Sequence, residues 1–178
     1  SSGKTSASKF LSNKRRPLFS ADTAVRELYR NKSFRSLLSK KFGVESNNQI
    51  KRSIKKLVIR NKKNLRKLEK IIHPLVRKKM RRFTLINKSK KILFYEIPLL
   101  IESKLTKLFD VIIFIKSKKK VRLKRFLLKN GDKALFNFLN SQQLNYKKKI
   151  KHCDHIVVNE KNLKILKKNL SLIMAKYE

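Results

Sequence analysis

Cysteine occurs once in the 178 residues, at Cys153, so an internal disulfide is excluded. A reducing, cytoplasmic location is the expectation. No apolar run approaches the roughly 20 residues that cross a bilayer, and no membrane partner is expected. Residues 1–16 are polar and basic, without the apolar stretch of an export signal. Histidine appears three times. His152, Cys153 and His155 lie close together, but their spacing does not match the usual metal-ligand patterns, and a fourth ligand of the usual type is missing. Glycine is also scarce, at three residues. The chain opens on Ser1 instead of methionine, and further residues are expected upstream. Acid is scarce too: 11 Asp and Glu face 49 Lys and Arg, for a net charge of +38.

Such a charge points first to phosphate-rich partners. The bases, however, are mostly lysine and run the whole length of the chain. Lysine lacks the planar fork that reads bases and phosphates in pairs. The even spread resembles a compositional drift toward Lys, Asn and Ile, so no specific nucleic-acid partner is expected. Hydrophobic residues make up 40% of the chain, enough to fill a core and to argue against wholesale disorder.

Periodicity divides the chain. Residues 1–14 read as a loop entering a helix, and Pro17-Leu18-Phe19-Ser20 as a short strand. A helix follows from Asp22, with Ser20 or Asp22 near its cap. Residues 32–90 read as helical, with Ile50, Ile54, Leu57 and Val58 on one stripe and Leu65, Leu68, Ile71, Ile72 and Leu75 on another. His73-Pro74 marks a kink or boundary in that stretch. Three apolar runs then suit strands buried on both faces: Ile92 to Ile97, Val111 to Ile115, and Ile156 to Val158. Helical stretches at 118–129, 133–140, 144–151 and 162–175 separate or follow them. Lys118-Lys119-Lys120 and Lys147-Lys148-Lys149 read as solvated surface. Strands alternating with helices give an α/β fold with a parallel sheet.

Few residues carry chemistry. Ser2-Gly3-Lys4-Thr5 is the end of a phosphate-binding loop of the G-x-x-x-x-G-K-[ST] type. Amides of a tight glycine turn and of a helix start point at phosphate oxygens. Lys4 adds a charge, and the Thr5 hydroxyl suits Mg²⁺. Asp22, just after the first strand, is a candidate to take or orient an acceptor hydroxyl proton. Glu96 closes a strand and is a candidate metal carboxylate. Arg122 and Arg125 follow another strand, where arginine can close over transferring phosphates. Each of these residues also has an ordinary structural role open to it: a helix cap for Asp22, an ion pair for Glu96 or Glu102, a helix-break histidine for His73.

Together these pieces resemble the dephospho-CoA kinase family of P-loop kinases. The resemblance runs through Ser2-Gly3-Lys4-Thr5, Phe19-Ser20-Ala21-Asp22, His73-Pro74-Leu75-Val76-Arg77, Pro98-Leu99-Leu100-Ile101-Glu102, Arg122-Leu123-Lys124-Arg125 and Asp154-His155-Ile156-Val157-Val158-Asn159. It implies a three-layer kinase core at 1–31, 91–117 and 152–178, a helical acceptor-binding region at 32–90 and a helical lid at 118–151. It implies ATP and Mg²⁺ as cofactors, with dephospho-CoA and ATP as the partners of a monomer. Ser2, Gly3, Lys4, Thr5, Ser6 and Asn159 would hold ATP, and Thr5 and Glu96 the metal. Lys4, Asp22 and Arg125 would be catalytic. Asp22, His73, Pro98, Leu99, Glu102 and Gln143 would meet the acceptor.

The chain departs from the family pattern at several places. Ser20 stands for the first Asp of an Asp-Ala-Asp motif, Lys129 for a lid arginine, and Ser1 for a glycine. The family's first strand, which lies mid-sheet, is not in the sequence, so the chain is expected to be a fragment of a longer protein. Two other readings stand beside this one: a P-loop kinase for a different small molecule or nucleotide, and a basic nucleic-acid-binding protein.

Overall fold

The computed structural model describes residues 1–13 and 15–178. In chain order the elements are α1 (Lys4–Ser12), β1 (Leu18–Ser20), α2 (Ala21–Arg30), α3 (Lys32–Phe42), α4 (Ile50–Arg60), α5 (Lys62–Ile86), β2 (Phe94–Glu96), a 3₁₀ turn (Thr106–Leu108), β3 (Ile113–Lys116), α6 (Lys119–Leu127), α7 (Lys133–Ser141), α8 (Tyr146–Ile150), β4 (His155–Val158) and α9 (Leu163–Met174). They form two compact units. One comprises residues 1–18 and 92–178, the other residues 19–91.

In the first unit β3 and β4 pair in parallel, with Ile113 opposite His155 and Lys116 opposite Val158. The ladder extends at both ends: the Asp154 N–H donates to the Ile112 carbonyl at 3.0 Å, and the Asn159 N–H to the Lys116 carbonyl at 2.7 Å. Ile115 and Val157 share a face of this pair, where they meet Ala7 and Leu11 of α1 and Leu166 and Leu170 of α9. Spacings of four residues place each helical pair on one stripe. Full burial of a leucine such as Leu170 stabilises the unit by about 2 kcal/mol. The start of β2 is fixed by the Phe94 N–H donating to the Pro17 carbonyl at 2.9 Å.

β4 does not meet the expectation of burial on both faces. Ile156 and Val158 remain 40% and 47% exposed, because α1 and α9 cover only the side carrying Val157. Further along, the Phe126 and Phe136 rings lie 5.7 Å apart and join α6 to α7. Gly131 passes so close that a Cβ there would meet the Phe126 ring at 2.2 Å.

The second unit is helical. The long stretch read from sequence as helical breaks into three helices, and the residues at the breaks explain why. Gly43 ends α3 with a φ of 64°. Asn61 caps α5, its side chain accepting from the Lys63 N–H. Ser20, not Asp22, caps α2. Ile50, Ile54 and Val58 form the buried stripe of α4. The unit begins earlier than residue 32, since α2 packs on both α3 and α5. Tyr29 meets Phe34 edge-on at 5.5 Å, and burial pushes its hydroxyl pKa up to about 12. Pro74 does not form a boundary: α5 runs through it.

Candidate active site

Gly3 opens the site. It precedes α1 with φ at 101°, a region that L side chains avoid. A Cβ there would stand 2.2 Å from Asn159 Nδ2, so glycine is required on two counts. No side chain caps α1, and its first turn carries no acid. A helix start of this kind favours an anion through its dipole.

Thr5 and Ser8 project from one face of α1, three residues apart. The Thr5 hydroxyl donates to Glu96 Oε1 at 2.5 Å, and the Ser8 hydroxyl to Glu96 Oε2 at 3.3 Å. Glu96 ends β2 and is 7% exposed. A buried carboxylate is costly unless paired, and these two hydroxyls bring no charge. Carboxylate and hydroxyl oxygens are the hard donors that Mg²⁺ takes, so the residues fit that ion. The tight turn at Gly3 likewise fits a phosphate.

Cations converge on the same place. Lys4, Lys129, Arg122 and Arg125 all lie close enough to Ser1 to act on it electrostatically. Arg125 is held by the loop after β4: Nη1 donates to the Asn159 carbonyl at 3.0 Å and Nη2 to the Lys161 carbonyl at 3.4 Å. Arg122 donates to Asn140 Oδ1 at 2.8 Å, and burial pulls its pKa down. Asn159 is buried and donates through Nδ2 to the Ser2 carbonyl at 2.8 Å. Ser6 is exposed in the first turn of α1.

A second polar cluster lies in the same unit. Glu102 Oε1 accepts from Lys149 Nζ and from the Leu144 N–H, both at 2.9 Å. Burial alone would raise the Glu102 pKa; the hydrogen bonds from Lys149 and from backbone amides outweigh it and hold the carboxyl below its usual value. Lys147 and Lys148 are exposed as the sequence suggests, but Lys149 is only 8% exposed and departs from the solvated surface expected of the run. Gln143, beside Leu144, is exposed. Pro98 and Leu99 are half-buried, and Leu99 adopts φ 56°, a strained value for a non-glycine residue.

Asp22 and His73 belong to the helical unit, and both are exposed. Asp22 sits in the first turn of α2, and His73 precedes Pro74 within α5. A shallow open groove along α5 is lined by Arg66, Glu69, Lys70, His73, Pro74 and Arg77.

Among the described residues no group of three His, Cys, Asp or Glu is arranged to hold a metal. Cys153 and His155 are engaged elsewhere. Cys153 Sγ donates to the Lys149 carbonyl, and His155 Nε2 meets the Tyr177 hydroxyl at 2.6 Å. Burial, and then Asp154, push the Cys153 thiol pKa up, which disfavours a reactive thiolate. Nor is any helix among the described residues long and apolar enough to cross a membrane.

Ser8 and Lys149 were not singled out from the sequence. Ser8 was discoverable, since it follows Thr5 by three residues on the same helix face. Lys149 carried no signal, because lysines surround it.

The family model for CoaE, dephospho-CoA kinase, matches residues 1–164. The dephospho-CoA kinase of Bartonella quintana is 34% identical over 166 residues, covering 90% of this chain and 85% of that protein. The Fusobacterium nucleatum dephospho-CoA kinase is 30% identical over 177 residues, covering 95% and 90%. Solved structures match the fold: TT1252 from Thermus thermophilus with a TM-score of 0.76 at 21% identity, covering 99% of this chain and 93% of that one. The dephospho-CoA kinase of Campylobacter jejuni follows at 0.63 and 19%, covering 98% and 92%. With a glycine turn, a threonine–glutamate pair and a parallel α/β core inside a match of this length, the chain belongs to the dephospho-CoA kinase family.

Proposed function

We propose that this chain transfers the γ-phosphoryl group of ATP to the ribose 3′-hydroxyl of dephospho-CoA, giving coenzyme A and ADP, the last step of coenzyme A biosynthesis. The observation that carries it is the Thr5–Glu96 hydrogen bond beside the glycine turn, inside a family match over residues 1–164. The Ser2 to Ser6 segment takes the donor phosphates: backbone amides bind their oxygens, and Lys4 supplies charge where the leaving ADP gains it. When bound, Mg²⁺ would supply charge neutralisation at the β- and γ-oxygens, with Thr5 and Glu96 as the residues to hold it, Glu96 through water.

Asp22 accepts the 3′-hydroxyl proton as the new O–P bond forms and the β,γ-bridging bond breaks. Its exposure leaves the carboxylate open to a ligand. Arg125 leaves its carbonyl partners for the developing charge as the 118–151 lid excludes water. The 32–90 helices, His73 included, take the acceptor. Pro98, Leu99 and Gln143 belong to the acceptor side as well, with Glu102 holding the Leu144 backbone next to Gln143. Asn159 belongs to the ATP site. The same reading makes the protein a cytoplasmic monomer with small-molecule partners alone.

An acceptor panel tests it. Purified protein with ATP and Mg²⁺ should release ADP with dephospho-CoA and not with nucleoside monophosphates or adenosine. Equal turnover on those acceptors would replace dephospho-CoA kinase activity with general nucleotide phosphorylation. Lys4→Ala should lower the rate at least a hundredfold, and Asp22→Asn should lower kcat with dephospho-CoA. Parent-level turnover in either variant would remove that residue from the mechanism.

A further inference from the structure

The side chain of Asn159 is turned toward its own protein. Its Nδ2 donates to the Ser2 carbonyl at 2.8 Å, and the residue is 6% exposed. Its backbone is committed as well: the N–H donates to Lys116 at the end of β3, and the carbonyl accepts from Arg125. The amide nitrogen lies 2.2 Å from where a Gly3 Cβ would stand. One residue thus joins the end of β3, the lid helix α6 and the phosphate loop.

The bond to Ser2 has a directional consequence. In a trans peptide the carbonyl and the following N–H point in opposite directions. Holding the Ser2 carbonyl on the Asn159 side turns the Gly3 N–H the other way. That amide lies at the start of α1, where backbone N–H groups meet anions. If the Ser2–Gly3 peptide rotated, a carbonyl oxygen would face the anion in place of a donor.

We infer that Asn159 is a positioning residue of the phosphate site: its side-chain amide sets the Ser2–Gly3 peptide so that the Gly3 N–H faces the donor triphosphate, and it makes no contact with the nucleobase. This rests on the proposal that residues 2–6 hold the ATP phosphates. It predicts that Asn159 acts alike on every ligand carrying a triphosphate, whatever its base.

The experiment compares ATP, GTP and inorganic tripolyphosphate, each with Mg²⁺, by calorimetric titration of the parent protein and of Asn159→Ala. Loss of one oriented hydrogen bond should weaken all three by a similar factor, about tenfold. KM for ATP should rise while KM for dephospho-CoA stays at the parent value, a split that general loosening of the fold does not produce. A loss confined to ATP would mean a base contact and overturn the inference, as would three unchanged affinities.

Should Asn159→Ala fail to fold, amide NMR of the parent protein decides the matter. Tripolyphosphate should shift the Gly3 N–H, and the Asn159 Nδ2 protons should respond alike to tripolyphosphate and ATP. A shift of those protons with ATP alone would overturn the inference. A parent protein that binds neither ATP nor tripolyphosphate would instead remove the phosphate-loop assignment beneath it, and the inference with it.

Discussion

The two compact units bury different kinds of residue. In the unit of residues 19–91 the buried side chains named here are apolar throughout, from Phe19 and Leu28 to Leu38, Ile54 and Met80. In the unit of residues 1–18 and 92–178 the buried set also includes Ser12, Glu96, Lys149 and Asn159. Burying a polar group costs stability unless its partners are in place. The helical unit incurs that cost at Arg35, whose Nε is buried without a partner; the strand-bearing unit incurs it at Glu96, Lys149 and Asn159, residues of the proposed site and lid. The polar interior therefore goes with the unit that carries the proposed phosphate and metal residues, and the apolar interior with the unit that carries Asp22 and His73 on its surface.

Substitutions on either side sharpen this contrast. Leu38→Ala, at a fully buried position of α3, should cost about 3 kcal/mol of unfolding free energy in a denaturant titration. Turnover per folded molecule should stay at the parent level; a catalytic loss of matching size would blur the division. Glu96→Gln is the converse. It keeps the shape and should leave the melting temperature nearly unchanged, while phosphoryl transfer falls about a hundredfold, near 2.7 kcal/mol.

Lys149→Met should cost about 2 kcal/mol, because Glu102 keeps its burial and loses its cation. The same pair gives a pH test. The Glu102 carboxyl is held below its unfolded value, so its stabilisation is complete above the unfolded pKa of about 4.3 and fades as pH falls through the lower folded value. Urea midpoints measured downward from pH 6 should separate parent and Lys149→Met least at the acid end. Smallest of all, Asn61→Ala should cost the helical unit about 1 kcal/mol through its lost cap, with no change in KM.

Much of the fold was legible because its signals are local. The short apolar runs around Phe94, Ile113 and Ile156 were enough to read as strands, and the four-residue spacing of Ile50, Ile54 and Val58 gave α4 directly. The glycine turn at Gly3 was visible as a motif. The partners of that turn were less so. Asn159 meets Ser2 across 157 positions, and no local pattern announces which asparagine of so many will be buried. Lys149 was hidden for the same reason: in a chain drifting toward lysine, one buried ammonium looks like every exposed one. The exposure of Ile156 and Val158 was missed because an apolar run does not report how many of its sides a neighbour will cover.

Pro74 brings no amide hydrogen to the middle of α5, so the Lys70 carbonyl lacks the donor one turn ahead that an ordinary helix supplies. The surrounding groove is open, and water can satisfy that oxygen. A helix of 25 residues is thus short of one backbone hydrogen bond near its midpoint.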